Sequence, residues 1–172
     1  GVQTCALPIW TAQYVASMLR EGTQTRSNKE IAEAIDSLGA SLAAAASLSS
    51  LTTSVSASGL TDQFDPIMAL FADVLLHPSF PREDLDKMKT RAVAQLRFQR
   101  SQPGFLAREM FSKVMYGAHP GARVALTEEQ IRRITPDLLQ AFHAAHYKPN
   151  NRSEEHTSEL QSPCNLVCRL LL

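Results

Sequence analysis

Apolar positions recur along this chain first at helical spacing, then by alternation, then at helical spacing again. From Ala12, the residues Val15, Met18 and Leu19 fall on one face, which predicts a short helix running toward Thr25 with Gly22 where a C-terminal cap belongs. Ser27 is a good N-cap, Glu30 follows it at capping-box spacing, and Ile31, Ala34, Ile35 and Leu38 form the stripe of a helix from Asn28 that Gly39 ends. The period then changes. Leu51, Thr53, Val55 and Ala57 alternate with Thr52, Ser54, Ser56 and Ser58, so Ala40 to Ser50 and Leu51 to Leu60 predict two antiparallel strands joined near Ser49-Ser50. The alanine content of the first segment, taken alone, equally suits a helix.

Helical spacing returns in Thr61 to His77, where Phe64, Ile67, Met68, Phe71, Val74 and Leu75 share a face and Pro66 suits a first turn. His77, just before Pro78, reads as a structural imidazole capping the helix end. Arg82 to Gln99 predicts a long helix with Glu83 and Asp84 in its first turn, as the helix dipole favours. Phe105 to Tyr116 predicts another amphipathic helix. Thr127-Glu128-Glu129-Gln130 leads a short one through Ile134, and Thr135-Pro136-Asp137 caps Leu138 to His146.

Composition changes this picture mainly at the two ends. Residues 1–9, GVQTCALPI, and 152–172, beginning RSEEHTSELQSP, resemble the conceptual translation of short-read library adapters, which leaves 10–151 as the region to interpret. All three cysteines, Cys5, Cys164 and Cys168, fall in those ends, so the interior gives no redox-compartment signal. Cys164 and Cys168 with His156 lack a second ligand pair for a metal site. The chain carries 17 basic and 17 acidic residues, and removing Arg152, Arg169, Glu154, Glu155 and Glu159 keeps the balance near zero. Neither nucleic acid nor an anionic membrane is favoured as a partner, and no apolar run reaches membrane-spanning length. About 140 residues suffices for one domain with a real core.

Several motifs in order carry a resemblance. These are Glu21-Gly22-Thr23-x-Thr25-Arg26-Ser27, then Leu38-Gly39-Ala40-x-Leu42-x-Ala44 with Ser47 and Thr52, then Pro78-x-Phe80-Pro81, then Tyr116-Gly117-x-His119-Pro120, and finally Ile131, Ile134, Thr135, Leu138, Phe142, Tyr147, Pro149 and Asn150. Together they resemble the insulinase, pitrilysin and mitochondrial processing peptidase family of zinc peptidases. In that family the helix before the E-G-T turn carries the inverted zinc motif H-x-x-E-H, in which two imidazoles bind zinc and a carboxylate handles the water proton. The matching positions here are Gln13, Ala16 and Ser17. The family's third ligand, a glutamate on the later long helix, matches Gln95, and residues 84–108 contain no glutamate. Ligands and base are all replaced.

The resemblance implies an α+β fold, an antiparallel sheet with helices on one face, truncated at both ends, so that unpaired sheet edges and exposed apolar helix faces are expected. It also implies that the hairpin's edge strand aligns an extended peptide by strand addition, with the small residues Ala43, Ala44, Ala45 and Ala46 allowing close backbone approach. Those residues equally suit packing beneath a helix. His119 is expected to order its loop by a hydrogen bond. His143 and His146, spaced for a metal but lacking a partner ligand, are expected to be solvated.

The function implied is that of a non-catalytic subunit or domain, not an enzyme by itself. It would bind extended peptide and complete the chamber of an active insulinase-like partner, with no cofactor of its own and zinc held by that partner. Two alternatives stand beside it: an active zinc metalloendopeptidase of the same family, and a structural core subunit of a larger complex. The compartment is not legible in the residues; the resemblance alone suggests a periplasmic or secreted bacterial setting.

Overall fold

Side-chain caps set the starts of three of the helices. The computed structural model describes residues 7–46, 52–119, 122–157 and 164–171. In it, helix α2 (Asn28–Ser37) starts on the expected capping box, with Ser27 and Glu30 exchanging side-chain and backbone hydrogen bonds. It stops where Gly39 adopts a left-handed φ of 57° and Ala40 N–H returns to the Ile35 carbonyl at 3.0 Å. Helix α1 (Leu7–Met18) departs from expectation at both ends. It begins ahead of Ala12 and ends before Gly22, because the Thr23 N–H donates to the Arg26 carbonyl at 2.8 Å and not to a helix carbonyl. Gly22 therefore serves a tight turn instead of a helix cap: a Cβ there would lie 2.9 Å from Ser79 Oγ.

The alternating segment forms strands β1 (Ser41–Ala46) and β2 (Thr52–Gly59), antiparallel, with Ser41 opposite Ser58 and Ala46 opposite Thr53. Thr53, Val55 and Ala57 are buried, as the alternation predicts. The turn expected near Ser49-Ser50 lies outside the described residues. Two further strands, β3 (Arg152–Thr157) and β4 (Cys164–Leu171), give the sheet order β1-β2-β4-β3, all neighbours antiparallel. Both come from the segment whose sequence resembles adapter translation. With β4 on its far side β2 is an interior strand, and β1 is an edge.

After one 3-10 turn at Thr61–Gln63, helix α3 (Phe64–Leu76) packs Ile67, Leu70, Phe71, Val74 and Leu75 into the core and lies against β2. Helix α1 lies against β1, β2 and helix α7 (Pro136–His146). The remaining helices are α4 (Arg82–Arg100), α5 (Pro103–Tyr116) and α6 (Glu128–Arg132). This is an α+β fold. The core joins Val15 and Met18 of α1, and Leu19 just after it, with Ile31, Val55, Val74, Leu85 and Leu139. Truncating one of these, Leu139→Ala for example, removes about 2–5 kcal/mol of stability. Helix α5 is the exception to this economy. It buries no residue, and Leu106, Met110, Phe111, Val114 and Met115 are all exposed. Among the described residues no helix is long and apolar enough to cross a membrane.

Candidate functional site

Helical geometry places Gln13 and Ser17 one turn apart on the exposed face of α1, away from its buried residues Ala12, Val15 and Met18. Gln95 extends from α4. All three line one cavity of about 290 Å³, so the positions that the resemblance assigns to metal ligands converge in space. Ala16 is 2% exposed and is not part of the lining; its methyl group is buried in the core.

The cavity is walled by Trp10, Tyr14, Met88, Leu96, Leu126 and Ile131, with Gln99 beside Gln95. No lining side chain carries charge at neutral pH. Burial pushes the Tyr14 phenol further up from its ordinary range, which keeps it neutral. The wall from α6 is held to α4 by a two-pronged ion pair, with Arg97 Nε donating to Glu128 Oε1 at 2.8 Å and Arg97 Nη2 to Oε2 at 2.9 Å. Arg97 holds the Glu128 carboxyl below its usual range by that hydrogen bond, against some opposing desolvation. A capping box between Thr127 and Gln130 fixes the start of α6 beside it.

The donor set does not fit zinc. Two neutral amides and a hydroxyl lack both the imidazole nitrogen and the carboxylate charge on which tight binding of a borderline-soft cation depends, and the alanine offers no base. Among the described residues no group of three His, Cys, Asp or Glu side chains is placed to hold a metal ion.

The turn that follows α1 is anchored by Asp73 of α3, a residue the sequence reading did not single out. Thr23 Oγ1 donates to Asp73 Oδ2 at 3.0 Å and Thr25 Oγ1 at 3.1 Å, and Arg26 Nη1 closes the same oxygen. Burial alone would raise the Asp73 carboxyl; the hydrogen bonds from Thr23, Thr25 and Arg26, with the Arg26 charge, outweigh it and hold it below its usual range. The signal was present as the one acid inside the apolar run Leu70 to Leu76. His77, expected to cap carbonyls, instead places Nδ1 3.8 Å from Asp73 Oδ1, while its own carbonyl accepts from Gln24 N–H at 2.9 Å.

Ala43 to Ala46 lie on edge strand β1, with Ala43 and Ala45 exposed and Ala44 and Ala46 half-buried. His119 N–H donates to the Tyr116 carbonyl at 2.9 Å; Pro120 lies outside the described residues. The expectation of a solvated His143 is wrong. Its ring is 6% exposed, donates Nε2–H to the Leu75 carbonyl at 2.8 Å and stacks on Tyr147 with centroids 4.4 Å apart. Burial pushes its pKa down, opposed by the Leu75 bond and assisted by His77. His146 packs on Phe142 instead of pairing with His143.

The sequence model of the insulinase family, peptidase family M16, matches residues 11–128. An uncharacterized zinc protease of Bacillus subtilis is 26% identical over 140 residues, covering 81% of this chain and 34% of that protein. An uncharacterized zinc protease of Mycobacterium leprae is 27% identical over 139 residues, covering 80% of this chain and 31% of that protein. Among solved structures, a peptidase M16 inactive domain from Pseudomonas fluorescens is similar at a TM-score of 0.69 and 31% identity, covering 78% of this chain and 33% of that one. The chain thus spans about a third of the length of the proteins it matches.

Proposed function

The chain belongs to the insulinase family of peptidases, family M16, and from that premise we propose that it is a non-catalytic member that binds extended peptide and completes the chamber of an active zinc-peptidase partner. The observation that carries this reading is the convergence of Gln13, Ser17 and Gln95 on one cavity. The scaffold of a metal site is kept while every group able to hold the metal or activate its water is replaced. In this proposal the chain binds no zinc itself, and hydrolysis takes place at the partner's metal. Its contribution to rate is positional, since aligning a bound peptide against a partner's reactive centre converts part of the barrier into binding energy.

Two surfaces support the two contacts this role needs. Edge strand β1 offers unpaired backbone groups and the exposed small side chains of Ala43 and Ala45, which suit strand addition by a peptide of any sequence. Helix α5 offers a bare apolar face beside a cleft of about 740 Å³. The cations Arg100, Lys113 and Arg123 line that cleft against the single carboxylate of Glu109, which lies 3.4 Å from Arg100. Arg123 Nη1 is buried with no hydrogen-bond partner among the described residues. We assign this surface to the partner, whose docking segment would present carboxylates beside apolar anchors.

The names of the bacterial relatives describe those proteins as zinc proteases, and an active endopeptidase is the competing reading. Mixing the purified chain with an active family member from the same genome separates the two. The proposal expects cleavage of a peptide substrate to rise at least about tenfold on mixing, with no cleavage by the chain alone; an unchanged rate on mixing contradicts it.

A further inference from the structure

We infer that the cavity at the degenerate metal site is a subsite for a neutral apolar side chain of the bound peptide, with the peptide's own amide groups held by Gln13, Gln95 and Gln99. The inference rests on the peptide-binding reading above and names what that site selects.

Four polar side chains, Gln13, Ser17, Gln95 and Gln99, face a cavity otherwise built from aromatic and aliphatic groups. None of the four makes a side-chain hydrogen bond among the described residues, so three amides and a hydroxyl stand ready to pair with a ligand. A glutamine amide both donates and accepts, which matches a peptide N–H and C=O equally and needs no charge on the ligand. The apolar remainder of the wall, Trp10, Met88, Leu96, Leu126 and Ile131, gains by covering a hydrophobic side chain. Its volume of about 290 Å³ lies at the lower end of the range for small-ligand pockets, which suits one side chain with its peptide unit and nothing much larger.

Charge excludes the other ligand classes. A carboxylate or ammonium entering the cavity would meet no opposite charge on the lining and gives up part of its hydration without a paired charge in return, so it binds more weakly than a neutral apolar group. The replacement of imidazole and carboxylate by amides thus turns a site that selects a cation into one that selects against ions. It keeps hydrogen-bonding capacity that plain hydrophobic replacements would have removed.

Trp10, the only tryptophan of the chain, lines the cavity and makes its occupancy visible in emission. The experiment titrates the full chain with acetyl-Ala-Ala-Phe-Ala-Ala-amide and with the same peptide carrying Asp or Lys at the centre. Trp10 emission reports the cavity, and anisotropy of a fluorescein-labelled copy reports binding anywhere on the chain. The expected result is a saturable Trp10 change with the Phe peptide, at least about tenfold weaker for the Asp and Lys peptides. In Gln95→Glu, an exposed position where the fold tolerates the change, the Phe peptide should weaken about tenfold and the Lys peptide should gain. Equal titrations for the three peptides overturn the inference. So does a silent Trp10 while anisotropy shows binding, and in that case peptide binding at β1 still stands. Absence of binding by both readouts overturns the subsite and the peptide-binding reading together.

Discussion

A half-buried carboxylate, Asp73, and a buried imidazole, His143, tie separate segments of the fold together. Asp73 is 13% exposed and receives the hydroxyls of Thr23 and Thr25 and the Arg26 guanidinium, fixing the turn at the end of α1 to α3. Asp73→Asn keeps the shape but loses charge-assisted bonds, and should lower stability by about 1–2 kcal/mol in urea denaturation. Because its folded pKa is depressed, this contribution is present above the unfolded value of about 3.9 and is lost as pH falls through the lower folded value. His143 acts at higher pH. Its folded pKa is also depressed, so its contribution is full above the unfolded value of about 6.5 and fades as pH falls below it. Urea midpoints should therefore drop between pH 7.5 and 5.5, and His143→Gln should flatten that drop. Neither residue was legible in its role. Asp73 stood out within an apolar run, but its partners lie 47 to 50 residues away, and the Leu75 carbonyl that orders His143 is 68 residues away. Local spacing cannot encode such pairs. Phe80 belongs with them: it adopts a φ of 48°, rare for a residue with a side chain, and its buried ring, edge-on to His143 at 5.9 Å, holds it there.

Elements were far more legible than these long-range contacts, because their signals are local. The box at Ser27 and Glu30 and the alternation from Thr52 to Ser58 each map onto an observed start or strand. The end of α1 was misplaced because Gly22 looks like a cap in sequence, whereas the close approach of Ser79 is a tertiary fact. The strands β3 and β4 were not expected, since their sequence was set aside as adapter-like. For the site itself, the motif register on α1 and α4 was enough to name Gln13, Ser17 and Gln95, but only the fold brings them into one cavity with Trp10 and Gln99. If the two helices retain the metal geometry, then Gln13→His, Ser17→His and Gln95→Glu together should confer one zinc ion per chain, measured by metal analysis after dialysis. Gln13→His alone should confer none. Failure of the triple variant to bind zinc would mean that α1 and α4 have shifted apart along with the chemistry.

Helix α5 carries a broad exposed apolar face. A helix with five large apolar side chains exposed is costly in water, which supports assigning it to a partner. Met110→Asp with Val114→Asp should leave the fold intact, since neither side chain is buried, yet reduce partner stimulation about tenfold or more in a mixed peptidase assay. The same pair should improve solubility of the isolated chain. Metal content and peptidase activity of the chain purified alone decide whether this family member has the scaffold of a zinc site without its chemistry. No bound zinc and no cleavage are expected. Stoichiometric zinc together with peptide hydrolysis would contradict it.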